Sequence, residues 1–186
     1  MLKRGVFHEP KLSFLPSSNG MKTYDLIVIG TGSAATILDP VIEDDPEIKI
    51  ALIDKDEPGG ICLTRGCIPS KMLLYPAELI REVERASRLG VEAQIQRIDF
   101  PGVMTRMRSS IGKEIERIRR GLSHSRNIDY FPETAEFISP YTLKVGEKEI
   151  RGEKILLCTG SQPLVPSVPG LSEAGFLSSD TLLRIS

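Results

Sequence analysis

The chain has no tryptophan, two histidines and three cysteines in 186 residues. Three cysteines cannot build the even-numbered framework of a small secreted disulfide scaffold, and one of them must stay unpaired. That usage points to the cytoplasm, where a close cysteine pair is more often catalytic or metal-binding than structural. No run approaches the roughly 18 apolar residues that a membrane-spanning helix needs, so no membrane partner is expected. Neither sign of charge dominates. With 24 Lys and Arg against 25 Asp and Glu, the formal net charge is −1. Such a balance offers no basic field for nucleic acid or acidic lipid. The first twenty residues also lack the apolar centre of a secretory signal, because Glu9, Pro10, Lys11 and Pro16 interrupt it. Residues 1–20 are expected to form a mobile extension, with the folded unit starting at Met21.

Apolar residues are present at 40%, enough for one good core. The run Tyr24 to Ile29 is nearly continuous and apolar, closes on Gly30, and reads as a buried parallel strand. A second such strand is expected over Ile48–Ile53, ending at Asp54. Between them Gly30-Thr31-Gly32-Ser33-Ala34-Ala35 opens a short helix, which Asp39-Pro40 is expected to disturb. Strand, glycine turn, helix and strand make a βαβ unit. Helical patterns follow from Cys67 to about Ala86, bent near Pro76, and from Val103 to Leu122. In the latter, Met104, Met107, Ile111, Ile115 and Ile118 recur at helical spacing and are assigned to the core rather than to a cofactor. Short strands are expected at Glu133–Ser139, Tyr141–Val145, Lys148–Ile150 and Lys154–Cys158. The first three would form a small antiparallel element inserted before the last.

Gly30-x-Gly32-x-x-Ala35 lies where a dinucleotide turn requires it. The first glycine permits the tight turn, the second lets backbone approach a pyrophosphate, and the small third residue allows close packing of helix on strand. The helix start supplies free N–H groups and a positive dipole end. Asp54, a little over twenty residues further on, can take ribose hydroxyls. The turn alone does not separate FAD from NAD.

The stretch Gly59-Gly60-Ile61-Cys62-Leu63-Thr64-Arg65-Gly66-Cys67-Ile68-Pro69-Ser70-Lys71 carries the most chemistry. Cysteines five positions apart lie on different faces of a regular helix. A disulfide needs Cα atoms roughly 4.4–6.8 Å apart, so a bond between Cys62 and Cys67 requires a loop or a distorted first turn, which Gly66 permits. A helix beginning near Cys67 would favour its thiolate. Two plainer readings stand beside the redox pair. The cysteines could be core residues, or they could join Cys158 and His124 around zinc, although CxxC spacing is missing. Cys158, in an apolar strand, reads as a small core residue.

The segment GGICLTRGCIPSK resembles the active-site signature of the class I pyridine nucleotide–disulfide oxidoreductases, a family that includes dihydrolipoyl, glutathione, mycothione and mercuric reductases or dehydrogenases. The resemblance runs on through Ile155 to Pro163 and Ser178-Ser179-Asp180-Thr181, nearly everything after Met21. It implies a Rossmann-like FAD-binding domain over residues 21–162, α/β in class, with residues 163–186 as a linker toward an NAD(P)-binding domain. It implies that Gly30, Gly32, Ser33 and Ala35 hold the FAD pyrophosphate, and that Asp54 and Lys55 meet the adenosine end. Gly60, Ala135, Thr159 and Gly160 would complete the FAD site. Cys62 would attack the disulfide substrate, Cys67 would face the flavin, and Lys71 would approach the flavin ring, unless it is simply a solvated lysine. Arg65 would be either a substrate contact or a surface charge.

The turn Gly30-Thr31-Gly32-Ser33 and the stretch Ser87 to Ala93 resemble archaeal-type dihydrolipoyl dehydrogenases and mycothione reductases, the former ranked first. Lipoamide is the substrate so implied, with NAD(P) as second cofactor and a homodimer as the full-length assembly. The sequence holds one glycine fingerprint, and its length is under half that of the family's enzymes. The chain by itself is therefore expected to be inactive with NAD(P)H. Alternatives are a stand-alone flavin-binding or thiol-redox module and a poorly folding remnant.

Overall fold

A computed structural model describes residues 20–185; the extension expected over residues 1–20 lies outside this range except for Gly20. The apolar runs form a six-stranded sheet in the order β3-β2-β1-β6-β5-β4. Its parallel half contains β1 (Lys22–Ile29), β2 (Ile50–Ile53), β3 (Ile128–Phe131) and the end of β6 (Lys148–Leu157). Every residue of β2 is buried, which is why its sequence is uninterruptedly apolar.

Side chains alternate across the sheet with the period of two that the pleat imposes. Ile27, Ala51, Ile53 and Phe131 point to one face, where they meet Leu143 and Val145 of β5 (Thr142–Val145). Tyr24, out of strict alternation with Ile27, joins the same cluster across an irregularity at Asp25-Leu26, whose N–H groups both donate to the Lys49 carbonyl. Val28, Ile50 and Leu52 point to the other, against Leu38 of α1 (Leu38–Asp44). Strand β4 (Ala135–Ser139), β5 and the start of β6 pair antiparallel.

Lys148–Ile150 and Lys154–Cys158, read as two strands, are joined in the single strand β6. Its first residues pair with β5 and, from Ile150 onward, it runs parallel to β1. Gly152 makes the continuity possible, since a Cβ there would lie 2.7 Å from Ile27 Cγ1. The antiparallel element is thus an extension of the main sheet. Strand β3 is an element the sequence reading did not contain; it is four residues long and adds to the edge of β2.

The glycine turn leads into a 3-10 segment, Ser33–Ile37, and only then into α1. Pro40 therefore does not disturb a helix. It lies in the first turn of a new one, where a missing N–H costs little.

Helix α2 (Gly60–Thr64) and helix α3 (Cys67–Arg85, containing Pro76) pack with α4 (Phe100–His124). Met104, Met107 and Ile111 of α4 meet Leu63, Met72 and Leu73 in one apolar cluster, the core role expected of that stripe. Asp99 caps α4 by accepting the Gly102 N–H at 3.2 Å.

After β6 the chain is irregular through its prolines. It then forms α5 (Leu171–Ala174) and α6 (Ser179–Leu182). Leu183 and Ile185 join the α3–α4 cluster, and the Arg108 guanidinium donates to the Leu183 and Ile185 carbonyls at 3.2 and 2.5 Å. No helix among the described residues is long and apolar enough to cross a membrane.

Candidate functional site

A cleft of about 580 Å³ opens at the carboxyl ends of the parallel strands. Strand β1 runs out into Gly30, Gly32 and Ser33, β2 into Asp54 and Lys55, and β6 toward Thr159 and Gly160. Ala135 enters at the start of β4, and Gly60 and Cys62 of α2 close the wall. A wider groove of about 940 Å³ lies along Lys22, Tyr24, Asp129 and Lys148. It holds neither a glycine turn nor a cysteine, and Asp129 is already bound by Lys22 at 2.5 Å and Tyr24 at 2.7 Å. The smaller cleft is where the chemistry converges.

Its floor is bare backbone. Gly30 has φ +112°, and a Cβ there would stand 2.1 Å from the Cys158 carbonyl oxygen. Gly60, at φ +65°, would carry a Cβ 2.4 Å from the Gly32 Cα. From Gly32 itself, a Cβ would meet nothing nearer than the Gly60 Cα at 3.7 Å. The turn is thus held by two glycines that no other residue could replace without strain, and a third keeps its surface free of side chain. Such a surface fits a pyrophosphate lying against main-chain N–H groups.

Asp54 closes the same turn. Its N–H donates to the Phe131 carbonyl at 3.0 Å, so the unforeseen strand β3 fixes its backbone. Its Oδ2 accepts both the N–H of Thr31, at 2.8 Å, and the Thr31 hydroxyl, at 2.6 Å. The other oxygen, Oδ1, accepts the Asp56 N–H at 3.0 Å. Thr31 Oγ1 in turn accepts the Gly59 N–H at 3.2 Å. Thr31 escaped the sequence reading. A hydroxyl residue between two turn glycines was the only signal available.

The cysteine segment is two helices with a break between them. Helix α2 ends at Thr64, and α3 begins with Cys67 after Gly66. A Cβ on Gly66 would be 2.9 Å from the Ile61 carbonyl oxygen and 3.4 Å from the Cys62 Cα. Without that side chain the backbone folds tightly over Cys62, and the two cysteines become neighbours despite their spacing. All three cysteines are free thiols, Cys67 being exposed. The hydrogen bond between the Cys62 and Cys67 side chains, with a smaller contribution from burial, pushes the Cys62 thiol above its ordinary pKa; the Lys71 charge pulls the other way. Cys158 lies apart in the cleft wall beside Gly30, and burial pushes its thiol up. Among the described residues no group of three or more His, Cys, Asp or Glu could hold a metal. His124, of the zinc alternative, contacts the Arg120 carbonyl oxygen at 2.7 Å.

Residues 24–184 match the family described as pyridine nucleotide-disulphide oxidoreductase. The chain belongs to this family. It is 33% identical to mycothione reductase of Mycobacterium tuberculosis over 89% of its own length and 37% of that protein. It is 34% identical to dihydrolipoyl dehydrogenase of Chlamydia trachomatis over 82% of its length and 33% of that protein. Among solved structures, the HOCl-induced flavoprotein disulfide reductase RclA from Escherichia coli superposes with a TM-score of 0.71 at 30% identity. That match covers 87% of this chain and 34% of RclA. The chain spans about a third of the length of the curated relatives it matches.

In this pyridine nucleotide-disulphide oxidoreductase chain, three expected site residues do not line the cleft. Ala35 packs beneath it in the cluster of Val28 and Leu38. Cys67 and Lys71 stand on α3, outside the cleft lining. Arg65, in the middle of the family's cysteine signature, does line the cleft. Its Nη2 lies 3.4 Å from Asp56 Oδ2, and its Nε lies 2.9 Å from Asp180 Oδ1, an ion contact without hydrogen-bond alignment. The cysteine segment is thereby tied to α6.

Proposed function

We propose that this chain is the FAD-binding portion of an FAD-dependent disulfide oxidoreductase of the dihydrolipoyl dehydrogenase kind. The observation that carries the reading is one cleft shared by a side-chain-free glycine turn and Cys62. Residues 21–162 would be the FAD-binding domain and residues 163–186 the connection to an NAD(P)-binding domain. Gly30, Gly32, Ser33, Gly60, Thr159 and Gly160 would hold the pyrophosphate and its surroundings, with Ala35 packing the turn. Asp54, Lys55 and Ala135 would take the adenosine end, and Lys71 would face the flavin ring. When bound, FAD supplies two-electron exchange between a nicotinamide and the dithiol.

The chain's own part is thiol chemistry. Cys62 loses its proton, attacks one sulfur of a substrate disulfide and releases the other as a thiol. Cys67 then attacks Cys62 Sγ, closing the Cys62–Cys67 disulfide and releasing the second thiol. Two electrons pass from the dithiol to the substrate, and the two thiol protons leave with the products. Only the thiolate is a nucleophile, so the raised Cys62 pKa makes its attack depend on pH. In reverse, a dithiol such as dihydrolipoamide reduces the pair. Lipoamide is the proposed substrate class, a mycothiol disulfide the alternative. The proposed setting is the cytoplasm, and the full-length assembly a homodimer.

Titration with FAD, followed by flavin fluorescence and calorimetry, tests the reading. FAD should bind, and Asp54→Ala should weaken it about tenfold by removing a charged hydrogen-bond acceptor. Tight NADH binding with no FAD signal overturns it. The chain by itself should not consume NADH with lipoamide, because hydride transfer requires a nicotinamide held against the flavin. A second reading, a stand-alone thiol-redox module, is favoured by a cysteine pair that is accessible and complete within this chain. Exchange with a small disulfide in the absence of any flavin would support that module instead.

A further inference from the structure

The Asp54 carboxylate is already largely occupied. A carboxylate offers about four acceptor positions, two on each oxygen. Oδ2 uses both of its own on Thr31, and Oδ1 uses one on the Asp56 N–H. The direction of the Thr31 hydroxyl is not free either. Its oxygen takes the Gly59 N–H, and an amide can only donate; the single hydroxyl proton therefore goes to Asp54. Thr31 is 8% exposed, so its hydroxyl has little access to water. The result is a carboxylate locked in one orientation, with one acceptor position on Oδ1 remaining.

We infer that Thr31 is a positioning residue that limits Asp54 to a single ribose hydroxyl, so that the adenosine end of the site reads one of the two hydroxyls and ignores the other. This inference rests on the FAD reading above. An unrestrained carboxylate would chelate both hydroxyls of a ribose, one on each oxygen. Here Oδ2 is turned inward to the glycine turn, and the recognition geometry is set by a residue that does not itself need to touch the nucleotide. The same bridge, through Gly59, couples the ribose end of the cleft to the start of the cysteine segment.

The test uses the full chain with ADP, 2′-deoxy-ADP and 3′-deoxy-ADP as probes of the adenosine half, each titrated by calorimetry. FAD is titrated in parallel by flavin fluorescence. One deoxy compound should bind as ADP does and the other about tenfold more weakly, the effect of one lost hydrogen bond to a charged group. In Thr31→Val that gap should shrink to less than about threefold, and in Thr31→Ser, which keeps the hydroxyl, it should remain. Thr31→Ser also guards against a valine variant that fails to fold, because a serine variant without the gap overturns the inference directly. Equal losses for both deoxy compounds would overturn it. So would a Thr31→Val that weakens all three nucleotides by the same factor, which is the signature of a residue that merely braces the turn. If wild-type chain binds FAD and these results fail, the inference alone falls; if it binds neither FAD nor ADP, the FAD reading falls first.

Discussion

Gly60 and Gly32 touch backbone to backbone, so closely that a methyl group on Gly60 would reach 2.4 Å from the Gly32 α-carbon. One glycine belongs to the cysteine segment and the other to the glycine turn that follows β1. The contact therefore joins the two motifs before any ligand is considered. Gly60→Ala meets both a left-handed backbone and this clash, at a cost of about 2 kcal/mol or more. Thermal unfolding should show a midpoint lowered by about 4–8 °C. An unchanged midpoint would mean that the two motifs are not in contact.

Cys62 and Cys67 should form a disulfide on mild oxidation and leave Cys158 out of it. The Gly66 break places the pair side by side, while Cys158 lies in the wall beside Gly30. Peptide mapping under non-reducing conditions reads the outcome. A Cys158-linked peptide would contradict the arrangement.

The reactivity of Cys62 should depend on pH in a way its neighbours set. Its pKa is raised chiefly by the hydrogen bond with Cys67 and is held back by Lys71. In the reduced chain the midpoint for alkylation by iodoacetamide should lie above that of an ordinary thiol. Cys67→Ala removes the raising contact, so the midpoint should fall. Lys71→Gln removes a charge that favours the thiolate, so it should rise. Mass spectrometry of the Cys62 peptide across a pH series distinguishes the two directions, and a Lys71→Gln midpoint that falls would place the lysine away from the pair.

Loosening α6 should free the end of the chain without unfolding the sheet. The Arg65–Asp180 pair is partly exposed, so Asp180→Ala should cost no more than about 1 kcal/mol. Arg108→Ala should cost more, since the Leu183 and Ile185 carbonyls lose their donor. Hydrogen exchange over residues 179–185 should quicken in both variants, more in Arg108→Ala, while β1 and β2 stay protected. Equal protection in wild type and variants would show that these contacts do not hold the segment.

Most of the scaffold was legible because its signals are local. Leu26–Ile29 and Ile50–Ile53 are apolar without interruption, as the buried centre of a parallel sheet requires. The α4 stripe of Met104, Met107 and Ile111 repeats at helical spacing, and all three are buried. What escaped was decided by neighbours. Ile128-Asp129-Tyr130-Phe131 is a strand because β2 has an open edge there, not because its four residues insist on it. Pro40 looked like a helix breaker, yet the preceding turns shifted the helix start to Leu38, where a proline is tolerated.

The site divides along the same line. Glycines at positions 30 and 32, an acid at 54 and a cysteine pair around Arg65-Gly66 are facts of sequence, and their spacing determined which chemistry to look for. The sequence by itself also determined the family, because the cysteine signature is specific enough to stand without the fold. Only the tertiary structure decided that Gly60 rests on Gly32, that Thr31 rather than solvent occupies Asp54 Oδ2, and that Arg65 is held by Asp56 and Asp180. Each of these is a contact between residues far apart in the chain or on separate elements. Local patterns specify conformations, whereas close approach of distant backbones and sharing of a carboxylate depend on how the layers pack.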